Sequence, residues 1–115
     1  MTDHPKTLAI DIGGSGLKAT VLGPTGDMLT ERLRVPTPRP VDPAILAKAL
    51  IELTRPSPEF DRVSVGFPGV VRNGVIRTAP NLGTARFAGF DLASALQAQM
   101  GKPVRVINDA DMQGF

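Results

Sequence analysis

The chain has no cysteine, no tryptophan, no tyrosine and a single histidine. Without cysteine there can be no disulfide and no thiolate metal site, so a reducing cytoplasm is the simplest setting. Without tyrosine or tryptophan, and with only five phenylalanines, the stacking platforms that hold single-stranded nucleic acid are missing. Charge of one sign is also scarce. A formal net charge of +2 is too small to argue for nucleic acid, although a pI near 9.5 is compatible with an anionic partner. No apolar run is long enough to cross a membrane. The apolar stretch near the N-terminus is interrupted by Asp11 and Lys18, which a secretory leader would not tolerate.

What remains is an ordinary globular composition, 42% hydrophobic and 21% charged over 115 residues, enough for one domain with a core. The segment KTLAIDIG reads as a buried strand. After the glycines, Leu17, Ala19 and Val21 alternate with Lys18, Thr20 and Leu22. GPTGD is a turn. MLTERLRV alternates again, with Leu29, Leu33 and Val35 on one side, so the first three strands form an antiparallel meander. PTPRPVDP is a proline-rich connection, readable as an SH3-type ligand or as a stiff surface loop. Asp42-Pro43 then caps a helix whose apolar face is Ile45, Leu46, Ala49, Leu50 and Leu53. RVSVGF is a fourth strand. Asn73-Gly74 centres a hairpin, and APNLGTARFAG reads as a loop. Asp91 caps a second helix with Leu92, Ala93, Leu96 and Met100, ended by Gly101 and Pro103. VRVIN is a fifth sheet strand, and a third helix is expected after it. Crossover helices make the later strands parallel to the first. No linker divides the chain.

The functional question sits in DIGGSGLK, where a lone carboxylate ends an apolar strand directly before a glycine-rich turn. A Walker loop needs Lys-Ser or Lys-Thr opening a helix, and neither is present. Gly14, Gly16 and Ala19 satisfy a dinucleotide fingerprint, with Glu31 at a tolerable distance, but that motif must also open a helix. Here the next segment alternates and reaches Gly23, Pro24 and Gly26. A hairpin turn with no ligand is a further reading. It leaves Asp11 unexplained if that carboxylate is buried, though an alternating strand also has a solvent side. The reading that uses every part is a phosphate site. Glycines admit a phosphate close to backbone N–H groups, Ser15 adds a hydroxyl, and Asp11 holds Mg²⁺ through water. Asp11, Gly13, Gly14 and Ser15 are then expected to form a concave turn with N–H groups directed into a cleft near the end of the fifth strand.

DIGGSGLK resembles the first phosphate motif of the actin, Hsp70 and sugar-kinase superfamily. VGFPGVV, APNLG and VINDAD narrow the resemblance to the ROK sugar kinases (repressors, open reading frames and kinases), over essentially the whole chain. The resemblance implies a ribonuclease-H-like α/β lobe with a mixed five-stranded sheet in order 3-2-1-4-5. Residues 1–115 would be the N-terminal lobe of a two-lobed enzyme with its site in the inter-lobe cleft, so the isolated lobe is expected to be inactive. The implied activity is phosphoryl transfer from ATP or polyphosphate, with Mg²⁺, to the 6-hydroxyl of glucose or a related hexose. Asp109 is the implied catalytic base, and Asn108 and Asn81 the sugar contacts. Backbone at Gly66, Pro68 and Gly69 shapes the sugar pocket, and Gly13, Gly14, Ser15, Gly16 and Lys18 bind phosphate. A carboxylate at the carboxyl end of a parallel strand is well placed for general-base work. Asn108-Asp109 also reads as a helix cap.

Ordinary ROK glucokinases carry Gly-Gly-Thr-Lys in the first motif. This chain has Gly-Gly-Ser-Gly, with Lys18 further on, which resembles the polyphosphate glucokinases of that family. Zinc-binding cysteines of many members lie downstream in relatives. A ROK repressor is the rival from another class, but it would carry a helix-turn-helix before the first strand, where only Met1 to Pro5 stand. A non-catalytic sugar-binding or assembly fragment is the other alternative. Arg72, Arg77 and Arg86 either line a phosphate path or are solvated surface. His4 is given no role. The partners expected are a sugar and a phosphoryl donor, with no nucleic acid and no membrane, and a homodimer is expected.

Overall fold

The computed structural model describes residues 5–109. His4 and the expected third helix beyond Asp109 lie outside them. The chain runs β1 (Thr7–Ile12), β2 (Gly16–Leu22), β3 (Leu33–Pro36), α1 (Pro43–Thr54), β4 (Arg62–Phe67), β5 (Val71–Arg72), β6 (Val75–Ile76), α2 (Thr84–Phe87), α3 (Leu92–Met100) and β7 (Val104–Asn108). Five strands form one sheet in order β3-β2-β1-β4-β7, and β5-β6 is a separate hairpin. Strands β1, β2 and β3 are antiparallel neighbours, whereas β1, β4 and β7 run parallel. This is the mixed sheet in order 3-2-1-4-5, with β7 as the fifth strand of the sheet.

Alternation along the strands decides which face is buried. Leu8, Ile10, Ile12, Leu17, Ala19, Val63, Val65, Phe67 and Val106 are buried on one face, in one core with Leu46 and Leu50 of α1 and Leu92 and Leu96 of α3. Asp42 caps α1, its carboxylate accepting from Ile45 N–H at 2.8 Å with Pro43 in the first turn. Asp91 caps α3 in the same way through Ser94 N–H, and Gly101 closes it in the left-handed region. The opposite face of the sheet presents small and polar side chains, among them Ala9, Asp11, Lys18 and Ser64. No helix among the described residues is long and apolar enough to cross a membrane.

Three local expectations are corrected. The third strand begins at Leu33 rather than Met28, with only an isolated bridge between Leu22 and Met28 before it. The Thr30 hydroxyl accepts from Val21 N–H at 3.1 Å and meets the Thr20 hydroxyl at 3.2 Å. A side chain thus takes the place of a ladder bond, and Leu29 is left 46% exposed. Ile45 is likewise exposed on α1, while Thr54 is buried with its hydroxyl donating to Leu50 O at 2.8 Å. Finally, the stretch APNLGTARFAG, expected to be a loop throughout, contains the single turn α2. It is held by Thr84 Oγ1, which accepts from Ala79 N–H, and by buried Phe87, whose ring lies 6.2 Å from that of Phe67.

Candidate active site

The turn between β1 and β2 is closed by Gly13 N–H donating to Gly16 O at 2.9 Å. Gly13 therefore contributes closure rather than a free N–H. The next three peptide carbonyls all face one neighbour, the proline-rich segment after β3. Thr37 Oγ1 donates to Gly13 O at 2.7 Å, an Arg39 guanidinium nitrogen donates to Gly14 O, and Thr37 N–H donates to Ser15 O at 3.2 Å. In a trans peptide the N–H points opposite to the C=O it is bonded to. Holding the Gly13 and Gly14 carbonyls toward the 37–39 segment thus turns the Gly14 and Ser15 N–H groups away from it. Among the described residues those two N–H groups take no backbone partner. Successive outward N–H groups of this kind make an anion-binding concavity.

A charged row crosses the sheet beside the turn. Asp11 on β1 is directly opposite Lys18 on β2 and Gly66 on β4. Lys18 is opposite Arg34 on β3, and Gly66 is opposite Ile107 on β7. Residues directly opposite share a face, so Asp11, Lys18 and Arg34 point to the same side. They line a cleft of about 360 Å³ with Gly13, Ser15 and Gly16. Among the described residues no group of three or more His, Cys, Asp or Glu side chains gathers as a metal cage. A lone exposed carboxylate beside a phosphate-sized concavity does fit Mg²⁺, which keeps most of its waters and commonly takes one or two carboxylates plus substrate phosphates.

The second set of expected residues lies at the same edge. Asn108 ends β7 opposite Phe67, and its side-chain amide donates to Gly69 O at 2.6 Å. Asp109 follows, half-buried. Gly66 is buried inside β4, Pro68 is half-buried just beyond it, and Gly69 N–H turns back to Phe67 O at 2.9 Å. Strands β1, β4 and β7 all finish here, so Asp11 and the end of β7 are separated by two inter-strand spacings, roughly 10 Å. Exposed Asn81 stands against the turn of the first set. A Cβ on Gly14 would stand 3.0 Å from the Asn81 Cβ, close enough that a side chain there would press on the Asn81 loop. Asn81 O also accepts from Arg39 at 3.2 Å. Arg72 and Arg77 are exposed on and beside the β5-β6 hairpin. Arg86 reaches Val41 O at 3.4 Å, away from the turn.

A model of the ROK family matches residues 7–114. The chain belongs to the ROK family. It is 35% identical over 108 residues to a polyphosphate glucokinase of Mycobacterium tuberculosis, with 92% of this chain and 40% of the relative covered. It is 33% identical to an N-acetylmannosamine kinase of Escherichia coli, covering 90% of this chain and 36% of the other. Among solved structures, an inorganic polyphosphate/ATP-glucomannokinase from Arthrobacter sp. strain KM superposes with a TM-score of 0.86 at 37% identity, over 96% of this chain and 46% of that one. The chain thus spans about 40% of the length of the polyphosphate glucokinase it matches.

Sequence reading missed Thr37 and Arg39 of this ROK chain. They stand between prolines 36, 38 and 40, which have no N–H to offer, so the polar groups at 37 and 39 carry the contacts of that stretch. Gly69 has a similarly specific reason to be glycine. A Cβ there would lie 1.9 Å from Thr78 O, a backbone atom that cannot swing aside. Gly69→Ala is expected to destabilise the protein by about 1–3 kcal/mol or more, read as a lowered denaturation midpoint. A midpoint equal to wild type would show that the β4–β5 connection yields more easily than its packing implies.

Proposed function

We propose that the full-length protein transfers a phosphoryl group from polyphosphate or ATP to the 6-hydroxyl of glucose or a related hexose. In this reading the chain is the N-terminal of two lobes. The observation that carries the proposal is the meeting, at one sheet edge, of an outward-facing N–H turn beside Asp11 with the loop of Asn81 and the end of β7. Phosphoryl transfer needs positioning and charge neutralisation more than covalent help, and this edge offers both.

Asn108 and Asn81 hold sugar hydroxyls, and backbone at Gly66, Pro68 and Gly69 shapes the wall behind them. The Asp109 carboxylate accepts the proton of the 6-hydroxyl as its oxygen bonds to the terminal phosphorus. The bridging P–O bond breaks, and ADP or a polyphosphate shorter by one unit leaves. Gly14 and Ser15 N–H groups, Lys18 and the closure supplied by Gly13 and Gly16 orient the donor. Mg²⁺, held by Asp11 through water, would neutralise charge on the donor phosphates. Lys18 and Arg34 side by side at the cleft favour a donor with many negative charges. That supports polyphosphate, as do the Gly-Gly-Ser-Gly turn and the likeness to polyphosphate glucokinases. Adjacent Met28 and Leu29, 51% and 46% exposed, support the expected self-association, and the lack of cysteine supports a cytoplasmic setting.

The test supplies purified full-length protein with glucose, Mg²⁺ and either donor. Glucose 6-phosphate should form with polyphosphate at least as fast as with ATP. Strict ATP dependence removes the polyphosphate assignment, and hexose binding without turnover on either donor makes the protein a non-catalytic sugar binder.

A further inference from the structure

The contacts of Arg39 reach beyond the turn. One of its guanidinium nitrogens, Nη2, donates both to Gly14 O in the β1–β2 turn and to Asn81 O in the loop before α2. These two acceptors stand 25 and 42 residues away from it in sequence. The same two segments touch directly where Gly14 meets Asn81 Cβ. A single cationic donor therefore spans two loops that belong, in the proposed function, to different substrates. We propose that Arg39 is a positioning residue that couples hexose binding to the shape of the donor turn; this rests on the reading of Asn81 as a sugar contact and of residues 13–16 as the phosphate turn.

The physical path is short. The Gly14 carbonyl and the Ser15 N–H belong to one rigid peptide plane. Fixing Gly14 O on Arg39 fixes the direction in which the Ser15 N–H is offered to a phosphate. The Asn81 carbonyl is anchored to the same nitrogen, so a hexose that settles the Asn81 loop also settles Arg39, and through it the peptide plane. A ligand that orders one loop lowers the cost of ordering the other, which is positive coupling between two sites without a large motion. Thr37 does not share this role. Its hydroxyl and N–H hold Gly13 O and Ser15 O, and among the described residues no hydrogen bond links it to Asn81. Charge-assisted donors to carbonyls are the stronger hydrogen bonds, and a methionine of comparable length can make neither of them.

The test uses the full-length protein, its Arg39→Met and Arg39→Lys variants, and two probes. Inorganic tripolyphosphate with Mg²⁺ stands for the donor. 6-Deoxyglucose stands for the hexose, since it keeps the ring hydroxyls and lacks the acceptor. In wild type, saturating 6-deoxyglucose should tighten tripolyphosphate binding by roughly fivefold or more, the ordinary range of coupling between sites. In Arg39→Met that factor should fall to near one, while Arg39→Lys, whose ammonium can also bridge two carbonyls, should restore part of it. Without ligands, amide exchange of Gly13 and Leu82, whose N–H groups close the turn and the Asn81 loop by bonding Gly16 O and Ala79 O, should accelerate in Arg39→Met and that of Val65 in the core should not. A coupling factor unchanged in Arg39→Met overturns the proposal. So does acceleration that includes Val65, which would make Arg39 a residue of general stability. If wild type phosphorylates no hexose with any donor, the kinase reading falls; unaltered exchange at Gly13 and Leu82 in Arg39→Met removes the link itself.

Discussion

Replacing Asp109 by asparagine in the full-length protein is expected to lower turnover roughly 10²–10⁴-fold, the usual worth of a general base. Hexose affinity should change little. Asparagine keeps the size and shape of the side chain and removes only its capacity to take a proton. The position itself should hold, because the residue before it is anchored: the Asn108 amide is bonded to Gly69 O at 2.6 Å and Asn108 is registered against Phe67 of β4. A loss in kcat and kcat/KM by the same factor, with unchanged hexose binding, is the signature of an interaction made in the transition state alone. Steady-state kinetics and equilibrium sugar titration on the same preparation check it. A variant of normal turnover would take the base away from Asp109.

The sheet was legible because its determinants are local or nearly so. Two alternating segments on either side of a glycine turn can only fold back, and capped helices between the later strands force them parallel. Asp42 and Asp91 announced both long helices, and each carboxylate accepts from the N–H three residues on. The errors arose where a side chain replaced a backbone partner. Nothing in the alternation of Met28 to Val35 shows that Thr30 would bond Val21 N–H and release the strand. Similarly, α2 is four residues long, too short for a helical period to register, and it exists because Phe87 is buried against Phe67.

The candidate site divides along the same line. Asp11 was visible as a carboxylate interrupting an apolar run, and the structure puts it on the open face of the sheet while Ile10 and Ile12 point into the core. The roles of Asn81, Asn108 and Asp109 came from resemblance to a family, since an asparagine in a loop has no periodicity to betray it. Thr37 and Arg39 were invisible for a different reason. Their contacts span long sequence separations, and the proline-rich composition around them pointed to an inert surface loop. Composition describes how stiff such a segment is; it does not say which carbonyls lie within its reach.

Replacing Asp11 by asparagine is expected to reduce turnover roughly 10²–10³-fold, because positioning a cation on transferring phosphates is worth several kcal/mol in such reactions. Two consequences separate metal positioning from simple charge balance. Asp11 lies directly opposite Lys18, with Arg34 beyond it, so the neutral variant leaves two cations at the cleft uncompensated. If Asp11 served only to offset that charge, the variant would bind the polyanionic donor more tightly and react at nearly the wild-type rate. If it holds Mg²⁺ through water, the variant loses turnover whatever its donor affinity, and the Mg²⁺ concentration giving half-maximal rate rises. Hexose affinity should stay near wild type in either case, since Asn81 and Asn108 stand on other elements. Kinetics measured across a Mg²⁺ titration with each donor distinguish the two. Turnover equal to wild type at saturating Mg²⁺ would reduce Asp11 to an electrostatic partner of Lys18.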